Sequence, residues 1–473
     1  MIRHFRFLLV VAVPALLAGC MVGPDYVRPT APEAPAFKEA AGWKVGEPRD
    51  LAPKGPWWEA FADPELDALI RQVEVSNQTV AVAAARVREA EAATRAARAP
   101  LFPTLGANAS AVRRSQAAQG GGTSVSNNYN AALELGWELD LWGRIRRGVE
   151  ASAATAQASA ADLAAATLSA QALLAQDYLL LRVQDAEIAL LRSTAVAYET
   201  SLTLTRNQYA AGVVARGDVA QAEAQLAATK AQLLDAGVQR AQLEHAIAVL
   251  VGKPPAQLSI APRPLAPVFP EIPLALPSEL LERRPDIAAA ERRTAAANAQ
   301  IGVAQAAFFP SLSLSAVGGV QTSVLGDLLT LPARYWALGP ALVSQAIFDA
   351  GLRQAQKEQA IAVWDETVAT YRGTVLAGFQ EVEDNLAALS ILEREAAVQD
   401  EAVKAARESV TIATNQYKAG TANYLAVVVL QTAALNSERT ALSILGRRLT
   451  SSVGLIKALG GGWDATALAS AAP

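Results

Sequence analysis

Two hydrophobic periods alternate along this chain, one of two residues and one of seven. From Tyr129 the odd positions Tyr129, Ala131, Leu133, Leu135, Trp137, Leu139 and Leu141 are apolar, whereas Asn130, Glu134, Glu138 and Asp140 fall between them. Such alternation predicts a strand with one apolar face and one polar, acidic face. Residues 101–113 alternate likewise, with Leu101, Leu105, Ala107 and Ala109 opposing Thr104, Asn108 and Ser110. Leu312, Leu314 and Ala316 face away from Ser311, Ser313 and Ser315, while residues 335–348 alternate poorly and mark a fourth strand only weakly. The intervening segments 115–128 and 321–334 carry the Gly, Ser, Asn and Thr of exposed turns. Two readings fit: a soluble antiparallel sheet with one wet face, or hairpins that cross a membrane.

The period of seven is longer-ranged. Ile361, Val368, Val375, Val382, Leu389, Ala396, Val403, Val410 and Tyr417 share one phase, as do Leu174, Leu181, Ile188, Ala195, Leu202 and Tyr209. Val428, Leu435, Leu442, Leu449 and Ile456 follow the same spacing. A sustained heptad means left-handed coiled-coil packing. From Gly143 to Tyr209 such a helix would run roughly 100 Å at about 1.5 Å per residue, too long for a compact globule. An ordinary coiled-coil rod would also show heptads, but it would not carry interposed strand pairs or tight glycine turns.

Proline placement supports the long helices. No proline lies between Thr104 and Lys253, or between Ala341 and Ala472, and a proline inside a helix costs about 3 kcal/mol. Asp63-Pro64-Glu65 and Pro285-Asp286 read as helix starts. The halves also repeat at an offset of about 208 residues. Leu101-Phe102-Pro103-Thr104-Leu105 answers Phe308-Phe309-Pro310-Ser311-Leu312, Asp140 to Arg144 answers Asp349 to Arg353, and Asn207 to Gly212 answers Asn415 to Gly420. The expected organisation is a leader (1–19), a tether (20–62), a first repeat (63–251), a linker (252–284), a second repeat (285–459) and a tail (460–473). The first repeat holds a β-hairpin over 101–142, a long helix over 143–210 and a return helix over 215–251. The second holds a hairpin over 309–349, a long helix over 351–418 and a return helix over 422–459.

The leader changes the balance between the two sheet readings. Arg3 and Arg6 precede an apolar stretch from Phe7 to Leu17, which ends in Leu17-Ala18-Gly19-Cys20. This is the form of a secretion signal, closed by a match to the bacterial lipobox, in which the cysteine thiol is acylated. Cys20 is the only cysteine of the chain. Met21 follows it where Asp would favour retention in the inner membrane, so the outer membrane is expected. After Cys20 no uninterrupted apolar run reaches 18 residues, so membrane crossing falls to strands that close into a barrel. Four strands cannot close one, because the smallest barrels have about eight. Several chains would have to share it.

Composition removes other function classes. With 41 Lys plus Arg against 45 Asp plus Glu the net charge is −4, and loss of Arg3 and Arg6 with the leader makes it more negative, which argues against nucleic acid as a partner. Two histidines, one of them in the leader, and a single cysteine leave almost nothing for histidine triads or zinc sites. No cofactor, metal ligand set or catalytic residue is expected. Met21 is the only methionine besides the initiator, so no thioether ladder for copper lines the chain.

Several motifs together carry a resemblance to a known family. They are Gly23-Pro24-Asp25-Tyr26 after the lipobox, Trp57-Trp58 with Phe61 and Asp63-Pro64-Glu65-Leu66, Arg283-Arg284-Pro285-Asp286-Ile287, Phe308-Phe309-Pro310 and the paired Gln-Tyr-x-x-Gly turns. Across essentially the whole mature chain, the sequence resembles the TolC-like outer-membrane factors, in their lipoprotein branch serving pumps of the resistance-nodulation-division class. The resemblance implies a mainly α fold that is also a homotrimer. Each chain would give four strands to a twelve-stranded transmembrane β-barrel and helices to a long periplasmic coiled-coil barrel, with an equatorial belt between. It implies a passive exit duct with a periplasmic adaptor protein and an inner-membrane pump as partners, set in outer-membrane lipid. It further implies a gate near the helical tips, with Arg216, Asp218, Tyr424, Leu425 and Val429 as candidates. Adaptor docking would fall at the turns of Tyr209, Gly212, Tyr417 and Gly420. The positions acidic in relatives match Ala426 and Val429, so a hydrophobic constriction is expected here. A non-conducting, lipid-anchored scaffold and a type I protein-secretion duct are the alternatives.

Overall fold

The computed structural model describes residues 21–32, 34–39, 56–117, 122–270 and 283–463; Cys20, the leader and the tail beyond Trp463 lie outside them. The first half runs α1 (Pro64–Ser76), α2 (Gln78–Arg98), β1 (Thr104–Ala117), β2 (Thr123–Leu139), α3 (Arg144–Ala210) and α4 (Arg216–Leu250). The second runs α5 (Pro285–Ala306), β3 (Ser311–Thr322), β4 (Arg334–Ser344), α6 (Leu352–Lys418) and α7 (Tyr424–Ala458). The long helices α3 and α6 are each 67 residues, and the return helices α4 and α7 are each 35.

Local chemistry sets the helix starts. The Asp63 carboxylate accepts from the Glu65 and Leu66 amides at the head of α1, and the Asn77 side chain accepts from Thr79 and Val80 at the head of α2; each such cap stabilises a helix by about 1 kcal/mol. The repeated Asp-to-Arg motif has the same purpose. Asp140 accepts from the Ile145 and Arg146 amides (3.0 and 2.9 Å), and Asp349 accepts from the Arg353 amide and pairs with its guanidinium at 2.6 Å. Acids at these positive helix ends also complement the dipole.

The four strands form one antiparallel sheet in the order β1-β2-β3-β4. Register aligns the apolar positions across it: Leu105 with Leu135, Leu135 with Ala316, and Ala316 with Leu338. The opposite face carries Asn108, Glu134, Glu138, Asn130 and Ser313, with Asn108 hydrogen-bonded to Glu134 and Tyr335 donating to Asn130 at 2.9 Å. The weak alternation after residue 335 has a physical cause. A register irregularity between Leu314 and Ala316 shifts the phase of β4, so Trp336 and Leu338 share the apolar face with Ala341 and Val343. The strand also stops at Ser344, earlier than residue 348. Among the described residues both lateral edges, β1 and β4, are unpaired. The hairpins are joined at their base by Trp142, which stacks on Phe309 at 4.8 Å and donates to the Pro310 carbonyl at 2.7 Å.

Below the sheet the helices lie abreast. α3 packs against α2 and α5 near the strands and against α4 and α7 farther away, while α6 packs first on α5 and then on α7. Small side chains permit this close approach: Ala151, Ala154, Ala158 and Ala161 on α3, and Ala289, Ala295, Ala299 and Gly302 on α5. Among the described residues α3 alone is long and apolar enough to cross a bilayer. Other helices pack along it, α2 and α5 near the strands and α4 and α7 farther away.

A belt surrounds the helices at mid-height. Trp58, Phe61, Leu66, Ile70 and Val73 pack on Leu174, Tyr178, Leu181, Ile247, Leu449 and Val453, at roughly 1.5–3 kcal/mol per large side chain buried. Arg182, almost fully buried, pairs with Asp185 at 2.9 Å and with Glu65, and donates to the Ala261 carbonyl at 2.8 Å. Arg240 reaches the same Asp185 at 2.6 Å. Residues 21–32 and 34–39 form a strap along the body. Arg147 binds Asp25 at 2.8 Å, Asn298 donates to the Pro24 carbonyl, Tyr26 donates to Glu291, Arg28 donates to Tyr371, Arg372 donates to the Thr30 carbonyl, and Glu383 accepts from the Lys38 and Glu39 amides. The strap thus ties α3, α5 and α6 together, starting beside Trp142, whose carbonyl accepts from the Val22 amide at 3.0 Å.

Candidate functional site

The helical tips farthest from the strands hold the gate and docking candidates. Each hairpin turns by the same device. The Gly212 amide donates to the Tyr209 carbonyl and the Val213 amide to the Gln208 carbonyl, both at 2.9 Å; Gly420 and Thr421 repeat this onto Tyr417 and Gln416. Gly212 and Gly420 have φ of +74° and +73°, the left-handed geometry that ends a helix at little cost only for glycine. A Cβ at either would meet no other atom within 4 Å, so these glycines are required by backbone conformation and not by crowding.

Behind the turns lies a small core of Tyr198, Leu202, Val219, Leu226, Ala413, Tyr417, Tyr424, Val427 and Val428. The rings of Tyr417 and Tyr424 approach to 5.2 Å, and the Tyr417 hydroxyl donates to Gln208 Oε1 at 2.6 Å. Burial, followed by the nearby Tyr417, Tyr198 and Asp218, pushes the Tyr424 hydroxyl up to about 12. Tyr424, one of the gate candidates, is 2% exposed and packs inside the tip. Tyr417 is likewise buried, whereas its counterpart Tyr209 is 46% exposed. Of the docking candidates, Tyr209, Gly212 and Gly420 are at the surface.

Leu425 and Val429, one turn apart on α7, are 50% and 57% exposed. They share one helical face and bring no charge to it. The charged candidates lie across the tip on α4. Arg216 and Arg206 both bind Glu223, at 3.2 and 2.9 Å, and these hydrogen bonds, Arg206 first, hold the Glu223 carboxyl below the usual range. Asp218 is half-buried in the first turn of α4; its amide donates to the Ala215 carbonyl at 3.1 Å, and its carboxylate has no hydrogen bond or ion pair among the described residues. Glu223 is a residue that sequence reasoning misses. A signal existed for Glu223, since folding the hairpin about Gly212 brings positions near 206 and 223 opposite each other. Among the described residues, no group of three or more His, Cys, Asp or Glu side chains converges as a metal site would.

Comparison with known proteins matches this architecture. The sequence profile described as "Outer membrane efflux protein" matches residues 69–253 and again 276–461, one match per half. The probable efflux pump outer membrane protein TtgC of Pseudomonas putida is 33% identical over 468 residues, covering 97% of this chain and 96% of TtgC. The outer-membrane channel OprN superposes with a TM-score of 0.88 at 33% identity, covering 94% of this chain and all of that one. The open-state outer-membrane channel MtrE of Neisseria gonorrhoeae superposes at 0.83 with 30% identity, covering 94% and 99%. The chain belongs to the outer membrane efflux protein family, as an outer-membrane channel protein whose helical body extends into the periplasm.

Proposed function

We propose that three copies of this chain close a twelve-stranded barrel and a continuous helical tube, and that the tube is the passive exit duct of a tripartite efflux system. The observation that carries this reading is the four-stranded sheet with one apolar face and two unpaired edges. An open edge in lipid leaves backbone groups unsatisfied at several kcal/mol each, and β1 and β4 of successive subunits satisfy one another. A periplasmic adaptor seats on the tips around Tyr209, Gly212 and Gly420, and an inner-membrane pump of the resistance-nodulation-division class supplies the energy. The chain itself has no catalytic role.

Leu425 and Val429 form a hydrophobic constriction, which gates by excluding water. Asp218 pairs with a basic group of the adjacent subunit and holds the closed state. Val429→Ser, or Leu425→Ser, raises single-channel conductance in planar bilayers; unchanged conductance removes these residues from the gate, and no conductance from either the variant or the parent protein removes the duct. Cys20 carries the lipid. Cys20→Ser abolishes labelling by radioactive palmitate while trimers persist, and continued labelling of the variant counts against the attachment site.

A further inference from the structure

The apolar face of the sheet carries only two charged residues among the described strands, Arg113 on β1 and Arg334 on β4. Both side chains are exposed, and neither has a hydrogen bond or ion pair with any described residue. A cation on the lipid-facing wall of a barrel destabilises it by about 2–4 kcal/mol at mid-bilayer and by about 0–1 kcal/mol at the rim, so position decides what these residues do. Both lie toward the strand ends farthest from the helices. Arg113 is nine positions beyond Thr104, where β1 begins, and Arg334 is ten positions from Ser344, where β4 ends. At ~3.3 Å per residue and ~40° tilt, both stand about 25 Å above the strand bases, at the outer edge of the apolar band.

Aromatic side chains mark the same level. Arg113 lies one same-face step beyond Ala111, which is paired with Tyr129; Arg334 lies one same-face step beyond Trp336, which is 76% exposed. Tyr and Trp gather where hydrocarbon meets headgroups, so the two guanidinium groups reach into the headgroup layer of the outer leaflet. Register brings them together as well. Arg334 aligns through Val320 with Ala131, four residues from Asn127, the partner of Arg113. The strand bases show the same stagger: Thr104 pairs with Gly136, and Ser344 pairs with Ser311, which lies one residue before Leu312, the partner of Leu139. When β4 meets β1 of the next subunit with their bases level, Arg334 and the partner subunit's Arg113 stand on strands only about 4.8 Å apart. Two unpaired guanidinium groups so close repel unless an anion bridges them, and phosphate oxygens suit that fork geometry.

We propose that the outer wall of the barrel binds a phosphate-bearing lipid headgroup of the outer leaflet, held between Arg334 of one subunit and Arg113 of the next. The site rests on the trimeric barrel proposed above. It would fix lipid at three seams around the rim, where subunits meet.

The test uses the full chain, reconstituted in phosphatidylcholine nanodiscs with added bis-phosphorylated lipid A and released for native mass spectrometry. The expected result is a trimer retaining up to three lipid A molecules. Dephosphorylated lipid A is not retained, and a double variant, Arg113→Gln with Arg334→Gln, retains about tenfold less while remaining trimeric. Arg114→Gln, on the opposite face of β1, serves as the control and keeps full retention. Equal retention by the double variant, or by dephosphorylated lipid A, overturns the site. Displacement by excess inorganic phosphate alone overturns the assignment to lipid. A parent protein that is monomeric under every condition overturns the barrel itself, a result distinct from a trimer that ignores lipid A.

Discussion

Asp177 shows how a single residue departs from its surroundings. It is half-buried on α3, one position before the belt residue Tyr178, and its carboxylate has no hydrogen bond or ion pair among the described residues. Burial pushes its carboxyl up to about 6. A carboxyl that prefers to be neutral in the fold destabilises the fold when pH forces it to ionise. The penalty is absent below the unfolded value of about 3.9, grows as pH rises toward about 6 and is complete above it. Asp177→Asn should therefore raise Tm at neutral pH and leave it unchanged near pH ~3; an equal shift at both pH values, by thermal melts, would rule out ionisation as the cause. Such residue-level facts are mostly illegible in the sequence. Tyr209 and Tyr417 occupy equivalent positions of the repeat, yet one is exposed and the other buried, because burial depends on which helix lies across the tip.

At the scale of elements, the sequence is legible where one period governs. The alternation of Tyr129 to Leu139 and the heptads of α3 and α6 depend only on local spacing, and both stand as elements of the structure. β4 is the exception, because its irregularity at Leu314/Ala316 moves the apolar phase from Trp336 and Leu338 to Ala341 and Val343. No rule of strict alternation follows a strand through such a slip. The register makes a sharp distinction between neighbours. Leu338→Arg, on the lipid face, should destabilise the folded barrel by about 2–4 kcal/mol, whereas Ala337→Arg, on the bore face, should be tolerated. Heat-modifiable mobility on gels after refolding into vesicles separates the two, and equal damage from both substitutions would place the slip elsewhere.

For the whole molecule, the strap is the least legible feature, since its partners are remote in sequence. Gly23-Pro24-Asp25-Tyr26 is readable as a motif, but its reason is not. Gly23 has φ of +97°, and a Cβ there would sit 2.4 Å from Gly302 Cα on α5. The glycine lets the strap lie against a helix of the second repeat while Asp25 reaches Arg147 on a helix of the first. Gly23→Ala should destabilise the fold by about 1–3 kcal/mol and open the strap to proteolysis, read by limited digestion; unaltered digestion would show that the strap is held without this crossing.

The matched lengths of the helices, 67 with 67 and 35 with 35, bear on how this protein can change over generations. Each pair acts as a common ruler, so both hairpins reach the same depth. Dropping one heptad from a single long helix would leave its tip about 10 Å short of its twin and tilt the mouth that a partner must seal. Length can therefore drift only in concert, by whole heptads in both repeats at once.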